Sequence, residues 1–177
     1  MPRLFVALDL PAAVTTKLAR IQPPAVSGLR IVKPDQIHLT LHFIGEADVA
    51  LVVEALSTVS GRHFELDLSG FGKFPPVGKA KVLWVGVRDN AELLSLYAVI
   101  GNALGAAGFP IETRPYSPHI TLARCGQKFP IDVVDKFLAQ NRGLTVPAIP
   151  IEGFALYSST NVDDAPLYRC ERWFPFV

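Results

Sequence analysis

Two short segments carry residue types suited to acid–base chemistry. Ile37-His38-Leu39-Thr40-Leu41 is echoed by His119-Ile120-Thr121-Leu122, each reading His-x-Thr followed by an apolar residue. His38 precedes His119 by 81 residues, and Thr40 precedes Thr121 by the same interval. Each copy follows a proline-containing turn, Lys33-Pro34-Asp35 or Ser117-Pro118. Imidazole titrates near neutrality, so one histidine can be neutral while the other is charged. The neutral ring takes a proton from an attacking water, and the charged ring gives one to a departing ribose oxygen. Between them, threonine hydroxyls can donate hydrogen bonds to the non-bridging oxygens of a phosphate. In-line displacement at a cyclic phosphodiester needs the two rings on opposite sides of phosphorus, which two copies related by an approximate two-fold would supply. A single His-x-Thr reads as a half-exposed strand position, since threonine favours strands anyway. Two copies at corresponding places in the chain carry the chemical reading.

Strands must position these groups. Alternation places His38 and Thr40 on one face and Leu39, Leu41 and Phe43 on the core face; His119 and Thr121 share a face opposite Ile120 and Leu122. Around them, strands are expected over 3–10, 29–32, 36–44, 63–68, 81–87, 116–124, 144–157 and 167–174, with a loop or irregular hairpin over 71–80 and a polar loop over 158–164. Val14, Leu18 and Ile21 mark a helix opened by Pro11, and Val49 to Val59 mark a second. Asn90 is placed to cap a third, with Leu93, Leu96, Ile100 and Leu104 on its apolar face. A short fourth helix is expected over 132–140. Many strand-to-strand links are too short for parallel crossovers. The fold class is therefore α+β, with antiparallel sheets flanked by helices, and residues 1–177 form one domain.

The chain has 177 residues, 50% hydrophobic and 19% charged, which excludes a disordered protein. Residues 1–90 carry 10 basic and 8 acidic side chains, and residues 91–177 carry 7 and 8, so no basic tail exists to track a nucleic-acid backbone. Cys125 and Cys170 are too few for a disulfide framework or a four-cysteine zinc site, and read as reduced thiols of a cytoplasmic protein. No apolar run approaches the roughly 18 residues needed to span a bilayer. The N-terminal residues read as a strand rather than a signal peptide.

Other candidates carry less. His42 continues the face of His38 by alternation, but on a strand the two lie about 13 Å apart and cannot share a metal ion; it reads as a cleft-side residue or a packed strand histidine. His63 reads as a surface residue. Gly72 to Lys79 has the wrong spacing for a phosphate loop. Phe71, Phe74, Trp84 and Tyr116 are candidates to stack bases, with core packing the plainer reading. Among Lys33, Lys73, Lys79, Lys81 and Arg114, the last is best placed to attract phosphate.

The stretch Ile31-Val32-Lys33-Pro34 to Phe43-Ile44-Gly45, with Pro118-His119-Ile120-Thr121-Leu122-Ala123-Arg124, resembles the 2H phosphoesterases. Within them it is most similar to the RNA 2′,3′-cyclic phosphodiesterases, historically called 2′-5′ RNA ligases. Arg3 to Leu8, Val82 to Val87 and Leu156 to Ser159 extend the resemblance over nearly the whole chain. It implies a bilobal fold with a central cleft, no metal or other cofactor, and hydrolysis of a terminal 2′,3′-cyclic phosphate to a 2′-phosphate, with weak 2′-5′ ligation. The implied partners are RNA ends or oligonucleotides bearing that group, and nucleotides, bound by a monomer. His38 is implied as proton donor and His119 as acceptor, with Thr40, Thr121 and Arg124 binding substrate. Strict alternation would put Arg124 on the core face with Leu122, so it reaches the cleft only if the strand ends or twists. Two rival functions share these motifs: an RNA-end or nucleotide-binding module without turnover, and a hydrolase of 2′-5′ linked oligonucleotides or small cyclic nucleotides.

Overall fold

The computed structural model describes every residue except Asp164. In chain order the strands are β1 (Arg3–Asp9), β2 (Leu29–Ile31), β3 (His38–Glu46), β4 (Phe64–Phe74), β5 (Val82–Val87), β6 (His119–Cys125), β7 (Thr145–Ile151), β8 (Gly153–Val162) and β9 (Ala165–Pro175). The helices are α1 (Ala12–Arg20), α2 (Val49–Leu56), α3 (Ala91–Ala106) and α4 (Ile131–Gln140), with a 3₁₀ turn over Pro34–Gln36. Local chemistry explains the starts of α2 and α3. The Asp48 carboxylate accepts from the Ala50 and Leu51 amides, and the Asn90 side chain accepts from Leu93 N. The Asn90 amide also donates to the Glu65 carbonyl, tying α3 to the start of β4.

All strand pairs are antiparallel, in the order β7-β4-β5-β6-β3-β1-β8-β9, with β2 on β6. The two expected sheets are thus one. Their junction is narrow: β3 meets β6 at the single pair Leu39↔Ile120, after which β2 takes over the β6 edge at Ile31↔Ala123. Leu39 and Ile120 are both fully buried, in one cluster with Leu18 of α1, Val52 of α2 and Ile100 of α3. A smaller cluster seats Val134 and Phe137 of α4 on Leu83 and Ala123.

Several boundaries differ from the sequence reading. The strand from His63 runs on to Phe74 by pairing with β5, so residues 71–74 are sheet and the 71–80 segment is an irregular hairpin, the second of its two readings. The segment 144–157 is two strands: Ile151 pairs with Phe64 in one half of the sheet, and Gly153 with Pro175 in the other. Only Glu152 separates them, so the sheet is strongly bent. Strand β8 continues through Val162, where a polar loop was expected; its last position, Asp164, lies outside the described residues. Cys125 and Cys170 are both free thiols. No helix is long and apolar enough to cross a membrane, among the described residues.

Candidate active site

The Leu39↔Ile120 register brings the two motifs together. Residues opposite one another in an antiparallel pair share a face, so this register sets His38 opposite Thr121 and Thr40 opposite His119, all four on the face away from the core. The two histidines then lie on a diagonal, a relation that separates Cα atoms by about 7–8 Å in a paired ladder. An approximate two-fold through the Leu39↔Ile120 pair relates the half-sites, as the 81-residue offset requires.

Both rings are anchored alike. His38 Nδ1 lies 2.7 Å from the Gln36 carbonyl, and His119 Nδ1 lies 2.8 Å from the Ser117 carbonyl. A carbonyl only accepts, so each Nδ1 carries the proton and each neutral ring keeps its lone pair on Nε2. In His38 that nitrogen accepts from the Thr40 hydroxyl at 3.0 Å. The repeated step from ring to carbonyl two residues upstream is the structural counterpart of the repeated proline turns.

A β-bulge in each motif strand overrides simple alternation. In β3, Val6 pairs with His42 and Ala7 with Thr40, leaving Leu41 extra; in β6, Trp84 pairs with Thr121 and Leu83 with Ala123, leaving Leu122 extra. A bulge shifts the facing of later residues by one. Leu41 and His42 are consequently both buried, as are Leu122 and Ala123, and the next residue in each strand, Phe43 or Arg124, is exposed. This corrects the reading of Phe43, which is 72% exposed, and selects the packed reading of His42, which is 3% exposed. It also answers the objection to Arg124, which regains the face of His119 and Thr121 by the bulge. Arg124 is close enough to depress the proton affinity of His38.

The half-sites differ in their surroundings. Asp9 is the β1 residue opposite His38, whereas Gly86 is the β5 residue opposite His119. The Tyr157 hydroxyl donates to Asp9 at 2.6 Å. Phe5 and Tyr168 lie 5.1 and 5.4 Å from the His38 ring, and Phe43 lies beyond Phe5. Phe74 and Trp84 flank His119 at 4.8 and 6.5 Å. Trp84, paired with Thr121, thus belongs to the cleft face; Gly72 leaves room for its indole, since a Cβ there would collide with that ring. Tyr116 instead packs against Tyr97. Arg114 forms an exposed ion pair with Glu112, and Arg30 is the β2 residue opposite Arg124. Asp9, Phe5, Phe43, Tyr168 and Arg30 escaped the sequence reading because long-range register, not local pattern, places them here.

Burial holds the His38 imidazole below its ordinary 6.5; the Gln36 carbonyl and Asp9 oppose the shift, while Arg124 and His119 add to it. His42 is likewise lowered by burial, against the Tyr97 carbonyl. Such groups bind protons more readily in the unfolded chain, so the stability they confer is complete above pH 6.5 and lost as pH falls below it. The melting temperature of the ligand-free protein should therefore fall between about pH 6.5 and pH 5, and inorganic phosphate should offset part of the fall by favouring charged His38. A flat or rising melting temperature over that range would contradict this assignment. Among the described residues, no three His, Cys, Asp or Glu side chains are grouped as metal ligands would be.

Comparison with known proteins shows the family of the chain. Residues 10–163 match the model of the 2′-5′ RNA ligase superfamily. The RNA 2′,3′-cyclic phosphodiesterase of Archaeoglobus fulgidus is 31% identical over 97% of this chain and 99% of its own. The enzyme of that name from Escherichia coli K12 is 34% identical over 69% of this chain and 71% of its own. Among solved structures, TT0787 of Thermus thermophilus superposes with a TM-score of 0.77 at 28% identity, covering 98% of this chain and 97% of that one. E. coli LigT complexed with 3′-AMP gives 0.75 at 25% identity, covering 99% and 98%.

Proposed function

The chain belongs to the 2′-5′ RNA ligase superfamily and works as an RNA 2′,3′-cyclic phosphodiesterase; from that premise we propose that its reaction runs between His38 and His119 without a metal ion. The observation that carries this is the meeting of the two His-x-Thr pairs about Leu39↔Ile120, each ring held by a carbonyl at Nδ1. The terminal cyclic phosphate sits between the rings. Water attacks phosphorus on the His119 side and loses a proton to Nε2 of that ring. The bond from phosphorus to the 3′-oxygen breaks, and Nε2 of protonated His38 supplies the proton to that oxygen. The product carries a 2′-phosphate, and the same displacement with a 5′-hydroxyl in place of water gives weak 2′-5′ ligation.

The asymmetry of the half-sites supports these roles. Burial lowers the proton affinity of free His38; Asp9 opposes that fall, and the phosphate anion adds to the opposition when it enters. No side chain stands at the corresponding position opposite His119, which is Gly86. Thr40 and Thr121 donate to the non-bridging oxygens, and Arg124 adds a guanidinium. The aromatic surface of Phe43 and Tyr168, backed by buried Phe5, on the His38 side is suited to the terminal nucleoside, whose ribose must place its 3′-oxygen beside that ring. LigT has been crystallised with 3′-AMP and with ATP, in keeping with a nucleotide in such a cleft. All these residues come from one chain, so a monomer contains a complete site. The free thiols suit a cytoplasmic protein.

An end-labelled oligonucleotide bearing a 2′,3′-cyclic phosphate tests the proposal. The expected product is the 2′-phosphate, formed at an undiminished rate in EDTA. A 3′-phosphate product would reverse the leaving oxygen, EDTA sensitivity would refute metal independence, and binding without turnover would make the cleft a recognition module.

A further inference from the structure

Tyr116 makes contacts that the acid–base scheme does not use. Its hydroxyl donates to the Thr40 carbonyl at 2.9 Å. Strands β3 and β6 pair only at Leu39↔Ile120, so this carbonyl is reached by a side chain where the ladder between them has stopped. The next residue, Ser117, supplies the carbonyl that anchors His119 Nδ1. Thr40 in turn bonds His38 Nε2 through its hydroxyl. A continuous path thus runs from His38 through Thr40, Tyr116 and Ser117 to His119.

The Tyr116 ring is itself braced. It stacks on Tyr97 with centroids 4.0 Å apart and planes 9° from parallel, and Tyr97 stacks on His42 at 4.1 Å and 13°. His42 Nε2 is 2.8 Å from the Tyr97 carbonyl, so the N–H donates there and fixes that end of the column to α3. Gly101, one turn along α3, keeps the backbone close: a Cβ there would come within 3.1 Å of His42 Cε1. The bulge that buries His42 therefore also supplies the base of the column, and a stack of three rings stands behind the narrow junction.

We propose that Tyr116 is a positioning residue that sets the separation of the two catalytic histidines, an inference that rests on the cyclic-phosphodiesterase reading of the cleft. In-line transfer depends on this separation, and a misplacement of about 1 Å can cost on the order of 10²-fold in rate. Ground-state binding of a phosphate needs only one half-site and its cation, so it is much less sensitive.

The test is Tyr116→Phe, which retains the ring stack and removes only the hydroxyl. On a cyclic-phosphate oligonucleotide, kcat should fall about 10-fold with KM within about 2-fold and an almost unchanged melting temperature. Imidazole NMR resonances should shift for both His38 and His119 in the presence of inorganic phosphate. Wild-type kcat in Tyr116→Phe, or unmoved His119 resonances, overturns the proposal. If instead Tyr116→Ala alone loses activity, in step with its stability, the residue serves only packing and the proposal fails. A wild-type protein without turnover would defeat the reading of the cleft, and the NMR arm would still decide the positioning claim.

Discussion

Alanine at His38 or at His119 is expected to lower kcat on a cyclic-phosphate oligonucleotide by about 10²–10⁴, with KM changed only a few-fold. In the proposed mechanism each ring moves one proton in the same transition state, so the two losses should not be independent. The double variant should be little slower than the worse single one. Both rings are only partly buried and neither belongs to the apolar core, so the variants should remain folded. The pH profile separates the roles. A general acid must be protonated, so its titration produces the fall at high pH; a general base must be unprotonated, so its titration produces the fall at low pH. His38→Ala should flatten the high-pH limb and His119→Ala the low-pH limb. Exchange of the limbs would interchange donor and acceptor, and near-wild-type turnover in either variant would refute two-histidine catalysis. Thr40→Ala and Thr121→Ala remove neutral donors and should cost less than either histidine.

Local patterns made part of this site readable. The duplicated His-x-Thr, its constant offset and the flanking prolines are all properties of neighbouring residues, and alternation correctly turns His38, Thr40, His119 and Thr121 away from Leu39 and Ile120. Asn90 advertised its helix in the same way, by a side chain satisfying an amide three residues on. The bulges were not readable. His38 to Ile44 alternates through Leu41 without a glycine or a charge to mark the extra residue, so alternation puts Phe43 in the core and leaves His42 either cleft-side or packed, whereas the register exposes Phe43 and packs His42. The β6 bulge at Leu122 is equally silent, yet it decides where Arg124 points. The same limit hid Asp9, Tyr168 and Arg30. Their positions follow from which residue of another strand lies opposite, a relation that closes only when strands far apart in sequence have paired. The merged strand over 144–157 failed for a related reason: Glu152 interrupts the ladder, but not the hydrophobic pattern.

Arg124 carries the second large effect: the bulge returns it to the face of His119 and Thr121, and its charge lowers the proton affinity of His38. Charge-assisted hydrogen bonds to phosphate are worth roughly twice neutral ones, and a phosphoryl group gains negative charge density on its non-bridging oxygens as displacement proceeds. Arg124→Ala should lower kcat/KM by about 10²-fold, with part of the loss in KM. Arg124→Lys keeps the charge without the planar fork of donors and should recover only a fraction of it. A titration distinguishes this from damage to the fold. Arg124 depresses the proton affinity of His38, so its removal must raise that affinity in the free enzyme. In the proposed mechanism His38 acts in its protonated form, so the high-pH limb of kcat/KM should move to higher pH in Arg124→Ala, while Arg124→Lys should keep it near the wild-type position. A lost rate with an unmoved limb would place the guanidinium away from the histidine. An unchanged rate would mean that the two threonines bind the phosphate without it, and that the bulge turns Arg124 towards solvent rather than towards the reacting group.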